Sequence, residues 1–419
     1  MLRFRNGEQR TTRVELFFDL VFVFAVTQLS ARLAQDISVD GAAHVLFLLL
    51  VVWWAWIYTT WMTNWFDPMH LSVRAVLIVC MLAAFLMAIA IPDAFGDRAP
   101  LFAGGYVALQ WVRHTFVVLV TDADEPMRAS WVRMWIGSLW VGVLWIAGAL
   151  VPDEGARMAV WTAALVLDYG GPLAGFWAPG LGRTAATEWE LEHGHFVERF
   201  ELFVMIVLGE TIVVTGATAS HLGLTPERTA AIVVAFLGTT IFYWLYFDEV
   251  ADRAAERLAR AGPDRGRLAR DAFTYLHIPI VAGMLVTAVG DELMIAHPLE
   301  PLHGDALLVL VAGPALYLLG HVAFELRLTG AVPRQRLVAA VVLLTFAPLG
   351  TVLPVLATGT IAYAVLAVVA TLETRARLWG RPEGVRRPGW PRPQISLEAA
   401  RPSRRRRSRT SEPRARTRD

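Results

Sequence analysis

Arg13-Val14-Glu15-Leu16-Phe17-Phe18-Asp19-Leu20-Val21-Phe22-Val23-Phe24-Ala25-Val26-Thr27-Gln28-Leu29-Ser30 is long enough to cross a bilayer as a helix, yet it carries Glu15, Asp19 and Gln28. An acidic side chain near the centre of a spanning helix costs about 3 kcal/mol, so these groups need a reason to be there. Glu15 and Asp19 stand four apart and share one helix face. Nearly the same opening returns at Arg199-Phe200-Glu201-Leu202-Phe203, and the apolar run that follows contains Gly209-Glu210-Thr211. Both stretches begin R-x-E-L-F.

Over half of the 419 residues are hydrophobic, and charge is pushed to the ends of long apolar runs. That composition excludes a soluble globular domain and defines an all-α, polytopic membrane protein. The first apolar run is of full spanning length and lacks a small-residue cleavage site, so it reads as a retained span rather than a signal peptide. Cys80 is the single cysteine, which excludes an intrachain disulfide and a cysteine metal cluster. Every basic residue is arginine, a bias that points to a GC-rich bacterial coding sequence.

At about 20 apolar residues per crossing, spans are expected near 15–36, 43–65, 73–92, 101–121, 131–151, 157–177, 198–219, 229–248, 272–293, 304–325, 335–352 and 354–373. That is about twelve transmembrane helices, the last two close enough to be one broken or re-entrant pair. Arginine marks cytoplasmic connections. It clusters before span one (Arg3, Arg5, Arg10, Arg13) and after each even-numbered span, for instance Arg128 and Arg133, Arg183 and Arg199, and Arg253 through Arg270. Both termini are therefore expected in the cytoplasm, with the chain in the bacterial inner membrane.

The expected organisation is a short cytoplasmic segment (1–14), a six-helix half (15–177), a cytoplasmic connection (178–197), a second six-helix half (198–373) with a basic cytoplasmic loop (249–271), and a tail (374–419). Glu and Arg at i,i+4 spacing in 252–260 suit a short surface helix. The tail is rich in Arg, Pro and Ser, too polar to fold, and able to attract anionic lipid headgroups. Trp65-Phe66-Asp67 and Tyr246-Phe247-Asp248 end the second span of each half. With an even number of spans per half, the two would be parallel repeats related by an axis along the membrane normal.

The motif from Arg13 to Ser30, together with Glu198-Arg199-Phe200 through Gly209-Glu210, resembles the bacterial low temperature requirement protein A family over roughly residues 10 to 375. Glu201 stands where that family often has a small residue. The resemblance implies a polytopic inner-membrane protein tied by name to growth in the cold, and it implies no activity, substrate or cofactor. Arg13-x-x-x-Phe17-Phe18-Asp19 is also similar to the first helix of the endosomal and lysosomal potassium channels built from six-helix repeats, with Phe18 in place of their serine.

Ionisable groups within spans are functional candidates. Arg113, Asp168 and Glu210 each fall about eleven or twelve residues into a span, about 16–20 Å deep at the helical rise. They form the candidate substrate or proton site, with Arg113 expected to pair with Asp168 or Glu210. The competing reading is a buried ion pair that only fixes packing. Glu15, Asp19, His277 and His321 form a second, cytoplasmic-side polar cluster, in which Glu15 could simply snorkel beside Arg13 and the histidines could relay protons. No spacing in this set is diagnostic of a metal site. Trp53, Trp54, Trp56, Trp61 and Trp65 crowd one span, where packing or lipid contact competes with stacking on a ligand. Asp122-Ala123-Asp124-Glu125 resembles a carboxylate cluster but has no partner motif, and the H-E-x-x-H, G-x-S-x-G and phosphate-loop signatures are missing. The expectation is therefore a non-enzyme without cofactor or specific nucleic-acid partner, surrounded by the lipid bilayer. A carrier of a small molecule or ion leads, and an ion channel or a non-transporting membrane factor in cold adaptation or envelope maintenance are the alternatives.

Overall fold

The computed structural model describes residues 10–123, 127–184, 189, 191–248 and 250–379. The N-terminal nine residues, Asp124 and Glu125 of the carboxylate run, Glu249, and the tail beyond Trp379 lie outside the described residues. The chain divides into a unit through Glu373, which holds the sites below, and a second unit beginning at Thr374.

Among the described residues fourteen α-helices follow one another: α1 Arg13–Gln35, α2 Val39–Trp65, α3 Leu71–Ala90, α4 Ala99–Val120, α5 Arg128–Ala149, α6 Glu154–Leu173, α7 His193–Leu222, α8 Pro226–Phe247, α9 Val250–Arg260, α10 Arg265–Leu268, α11 Ile278–Ala296, α12 Gly304–Thr329, α13 Arg334–Phe346 and α14 Val355–Trp379. Among the described residues strand structure is limited to one isolated bridge between Ala178 and Gly182. The starts are set by local chemistry. Ser38 accepts from the Gly41 amide, Asp153 from Ala156, and Thr225 precedes Pro226 while accepting from Arg228, each satisfying a donor that a helix N-terminus leaves open. At α1, the Glu15 carboxylate reaches back to both the amide and the hydroxyl of Thr12, at 2.8 Å each.

Nine helical segments of the described chain are long and apolar enough to cross a membrane, which makes this a multi-pass membrane protein. About twelve spans were expected. The remaining three are α4 and α6, long enough but interrupted by Gln110, Arg113 and His114 or by Arg157 and Asp168, and α13, which is only 13 residues long. The bundle is apolar outside, and its charged groups lie buried among the apolar side chains of the core. Ile78, Leu82 and Phe85 of α3, Phe236 and Leu237 of α8 and Val338 and Val341 of α13 are exposed, while Glu15, Asp19, Arg113, Arg199 and Glu210 are buried. Such a surface suits hydrocarbon, where polar groups must find partners within the protein.

α2 is buried along much of its length, Val51 through Ile57 without a break, and contacts α1, α4, α7 and α11. Neighbour pairs recur along the chain: α1 packs on α2 and α3, α3 on α4 and α4 on α5, while α7 packs on α8 and α11, α11 on α12 and α12 on α13. Small residues bring two of these pairs close. A Cβ at Gly105 of α4 would lie 2.8 Å from the Ala83 carbonyl oxygen of α3, and one at Gly283 of α11 would lie 2.4 Å from the Tyr317 amide of α12. Gly313 and Gly320 extend the second contact.

Gly283→Val should therefore destabilise the bundle by about 1–3 kcal/mol, the range for overpacking, whereas Gly104→Ala, with open space at its Cβ, should be close to neutral. Buried Cys80 reports the difference as the temperature at which a thiol-reactive dye labels the detergent-solubilised protein. Equal labelling temperatures would refute the close α11–α12 contact.

Candidate functional site

The polar residues of the opening motif meet α7. α1 and α7, the two R-x-E-L-F helices, lie against each other, and three carboxylates are arranged in sequence along their seam. Glu15 is met by His195, whose Nε2 lies 2.8 Å from Glu15 Oε1. Asn64 of α2 fixes the imidazole: its Nδ2 donates to Glu192 O at 2.8 Å and lies 3.2 Å from His195 Nδ1. With Nδ1 accepting, Nε2 carries the proton that Glu15 receives.

One turn deeper, Asp19 receives two hydrogen bonds from Arg199, Nη1 to Oδ2 at 2.9 Å and Nη2 to Oδ1 at 2.7 Å. Trp56 Nε1 adds a third at 2.9 Å to Oδ1, and the Arg199 guanidinium lies 5.7 Å from the Trp56 ring centroid. All are buried. Bidentate geometry and the aromatic face compensate the desolvation of both charges. This pair ties α1, α2 and α7 at one point.

About three turns further along α7, Glu210 has a different environment. Ser30 Oγ donates to its Oε1 at 2.7 Å and Thr27 Oγ1 to its Oε2 at 2.5 Å. Glu210 is only 1% exposed, and it has no cationic partner among the described residues. Both hydroxyls also lie near carbonyls of their own helix, Thr27 Oγ1 at 3.2 Å from Val23 O and Ser30 Oγ at 3.1 Å from Thr27 O.

Arg113 stands apart from this seam. Its Nη1 donates to Ala55 O at 3.1 Å and Thr59 Oγ1 at 3.0 Å, and its guanidinium carbon lies 5.1 Å from the Tyr58 ring centroid. Nε and Nη2 lack hydrogen-bond partners among the described residues, as do both ring nitrogens of His114. Asp168 accepts from Tyr106 Oη at 2.7 Å and Trp145 Nε1 at 3.3 Å, with Gln110 donating in turn to Tyr106. The expected ion pair of Arg113 with Asp168 or Glu210 is thus replaced by three separate settings, because hydroxyls, indole and backbone carbonyls lie closer than the opposite charge.

His277 and His321 also do not join Glu15 and Asp19. His277 Nε2 lies 2.9 Å from Tyr246 Oη, its Nδ1 3.3 Å from Ala272 O, and its ring stacks on Phe273 at 5.1 Å. His321 packs on Tyr317 and Tyr246. Instead, Arg199 and His195 complete the α1 cluster. The sequence displayed Arg199 at the head of the second motif, with His195 one turn before it, but helix spacing alone cannot say that α7 would dock on α1. No group of three His, Cys, Asp or Glu among the described residues could hold a metal ion.

A polytopic helical membrane protein with a buried polar seam between two motif-bearing helices is the class so defined. The chain belongs to the bacterial low temperature requirement A protein family, whose family model matches residues 10–371. It is 35% identical over 322 residues to an uncharacterized protein of Rhizobium meliloti (strain 1021), covering 76% of this chain and 78% of that protein. No solved structure matches it.

Arg199→Met should strand the Asp19 carboxylate and cost about 3–5 kcal/mol, as for other broken buried pairs. The double change Asp19→Asn with Arg199→Met should recover most of that loss, read from the same thiol-labelling temperature. Additive losses in the double would show that the two groups do not act as a pair.

Proposed function

We propose that the chain is a membrane transport protein of the bacterial inner membrane, built from two parallel six-helix halves with both termini cytoplasmic and moving a small molecule or ion through a charged site at mid-depth. The recurring neighbour pairs support the duplication, as does the placement of Arg113 and His321, each eight residues beyond the glycine (Gly105 or Gly313) that seats its helix. Arg113 faces α2 and His321 faces α8.

Glu210 carries the reading. Glu15 and Asp19 are held by His195 and Arg199 and suit packing, whereas Glu210 is buried with hydroxyls only. When ionised, it receives both hydroxyl protons. When protonated, it donates to one hydroxyl, and that hydroxyl turns to the carbonyl of its own helix, Val23 O for Thr27 or Thr27 O for Ser30. Both protonation states are satisfied without side-chain displacement, which is what a site that takes up and releases a proton or cation in each cycle requires. Arg113, with two guanidinium nitrogens unpartnered among the described residues, and Asp168 lie in settings of their own and are secondary candidates for the path.

Glu210→Gln retains shape and hydrogen-bonding capacity but cannot ionise. Its membrane abundance should match the parent, with a stability change under about 1 kcal/mol, while complementation of low-temperature growth in a strain lacking the protein is lost. A fully complementing Glu210→Gln protein would overturn the ionisable role. Steady single-channel currents from reconstituted bilayers would favour a channel over a carrier. Reporter fusions at Arg260 and Arg381 should both read as cytoplasmic, and a periplasmic signal at either would overturn the topology.

A further inference from the structure

Between the halves, beside α2 and separate from the α1–α7 seam, lies a cavity of about 250 Å³. Its walls are aromatic: Trp54, Tyr58 and Trp61 from α2 face Phe176 and Trp189 from the connection between α6 and α7. The rings brace one another, with Trp54 stacked on Tyr169 at 3.9 Å, Trp61 edge-on to Trp189 at 5.4 Å and Phe176 against Trp189 at 5.5 Å. Trp61 Nε1 is anchored to Thr274 Oγ1 at 3.2 Å. Thr274 lies in a π-helical turn, Ala269–Tyr275, a departure from regular helix that frequents functional sites.

The connecting segment is built to present two side chains to this space. Phe176 has φ 49, the sole positive value for a non-glycine among the described residues, a strained conformation for a bulky residue. The segment holds it there. Phe176 N donates to Gly171 O at 2.8 Å, Thr184 N to Gly175 O at 2.8 Å, and Arg133 of α5 clamps Thr184 Oγ1 at 2.6 Å and Leu181 O at 2.8 Å. This returns Arg183 to the rim beside Phe176.

Among the described residues, charge at the rim is one-sided. Arg183 forms no hydrogen bond or ion pair among the described residues and is exposed. Arg270, the other rim guanidinium, shares the Asp271 carboxylate with Arg327, at 2.7 Å and 2.8 Å, so two cations meet one anion. The described lining residues include no carboxylate. An aromatic box alone would suit a quaternary ammonium, but two guanidiniums at its mouth repel one. Behind Tyr58 lies Arg113, a third cation.

We propose that this cavity is a binding site for an organic anion with a flat apolar body: the body packs between Trp61 and Phe176 over the aromatic floor, and its carboxylate, sulfonate or phosphate meets Arg183. The chemistry is common to a free aromatic acid and to an anionic amphiphile drawn from the bilayer. That the anion is then carried across rests on the transport reading; its binding does not.

The test is calorimetric titration of the full chain in phosphatidylcholine nanodiscs with 2-naphthoate, 2-naphthylmethanol and 2-naphthylmethylammonium. The expected result is one naphthoate per chain, with the neutral and cationic analogues at least about tenfold weaker. Arg183→Gln should weaken naphthoate by at least about tenfold with unchanged melting. Phe176→Gly removes the ring and relieves the positive φ, so affinity should fall while thermal stability holds or rises, a combination that a purely structural ring would not give. Phosphatidylglycerol nanodiscs separate the sources: competition that depends on Arg183 assigns the site to the lipid, and undiminished naphthoate binding assigns it to a free solute. Equal affinity for all three probes, preference for the ammonium, or naphthoate binding indifferent to Arg183→Gln would overturn the proposal. Binding without naphthoate flux into liposomes would count against transport of this class and leave the site standing.

Discussion

The Asp19–Arg199 pair is the point on which the arrangement of the bundle turns. In hydrocarbon there is no water to take up a stray charge, so each of these groups, buried alone, would oppose folding by several kcal/mol. Paired through two hydrogen bonds, with the Trp56 indole N–H on the carboxylate and its ring near the guanidinium, they demand that α1, α2 and α7 meet at one depth. The two R-x-E-L-F helices are thereby fixed to each other. Lipid-facing leucines and phenylalanines cannot impose such a register, because one apolar neighbour serves nearly as well as another.

Around that fixed point the seam is graded in chemistry. Glu15 is tied to His195 and to the helix start at Thr12, Asp19 is locked by charge, and Glu210 is held by hydroxyls that have a second acceptor available. The two outer groups make a rigid frame. The innermost is the one whose partners can serve either protonation state. Rigid helices carrying a single adaptable group preserve geometry while the occupancy of that group changes, which is what the transport reading we propose would need.

The aromatic cavity extends the same logic to a different surface. α2 serves both sites: Trp56 turns toward Asp19 and Arg199, while Trp54, Tyr58 and Trp61 turn toward the cavity. The tryptophan crowding of this helix is thus divided between two faces, one completing an ion pair and the other lining a space. Packing alone accounts for Trp53, which donates to Thr274 O at 2.7 Å; it does not account for a strained Phe176 held beside an Arg183 that is unpaired among the described residues.

The sequence by itself determined the class, the family and most of the spanning helices, though not their number. Apolar runs of spanning length and charges pushed to their ends report lipid directly, and R-x-E-L-F marked both helices of the seam. It also determined that Asp19 and Glu210 required partners, because burial of charge is costly wherever it occurs. Which partners they found was decided by the tertiary structure. Arg113 reached Ala55, Thr59 and Tyr58 in place of a carboxylate, Asp168 took Tyr106 and Trp145, and the histidines at 277 and 321 settled among aromatic rings. Depth along a span can be counted from residue number at a fixed rise. The rotation of each helix and the choice of neighbour cannot, since they follow from which faces fit together across hundreds of residues, and it is that fit which placed Thr27 and Ser30 on Glu210 and Arg183 at the mouth of an aromatic cavity.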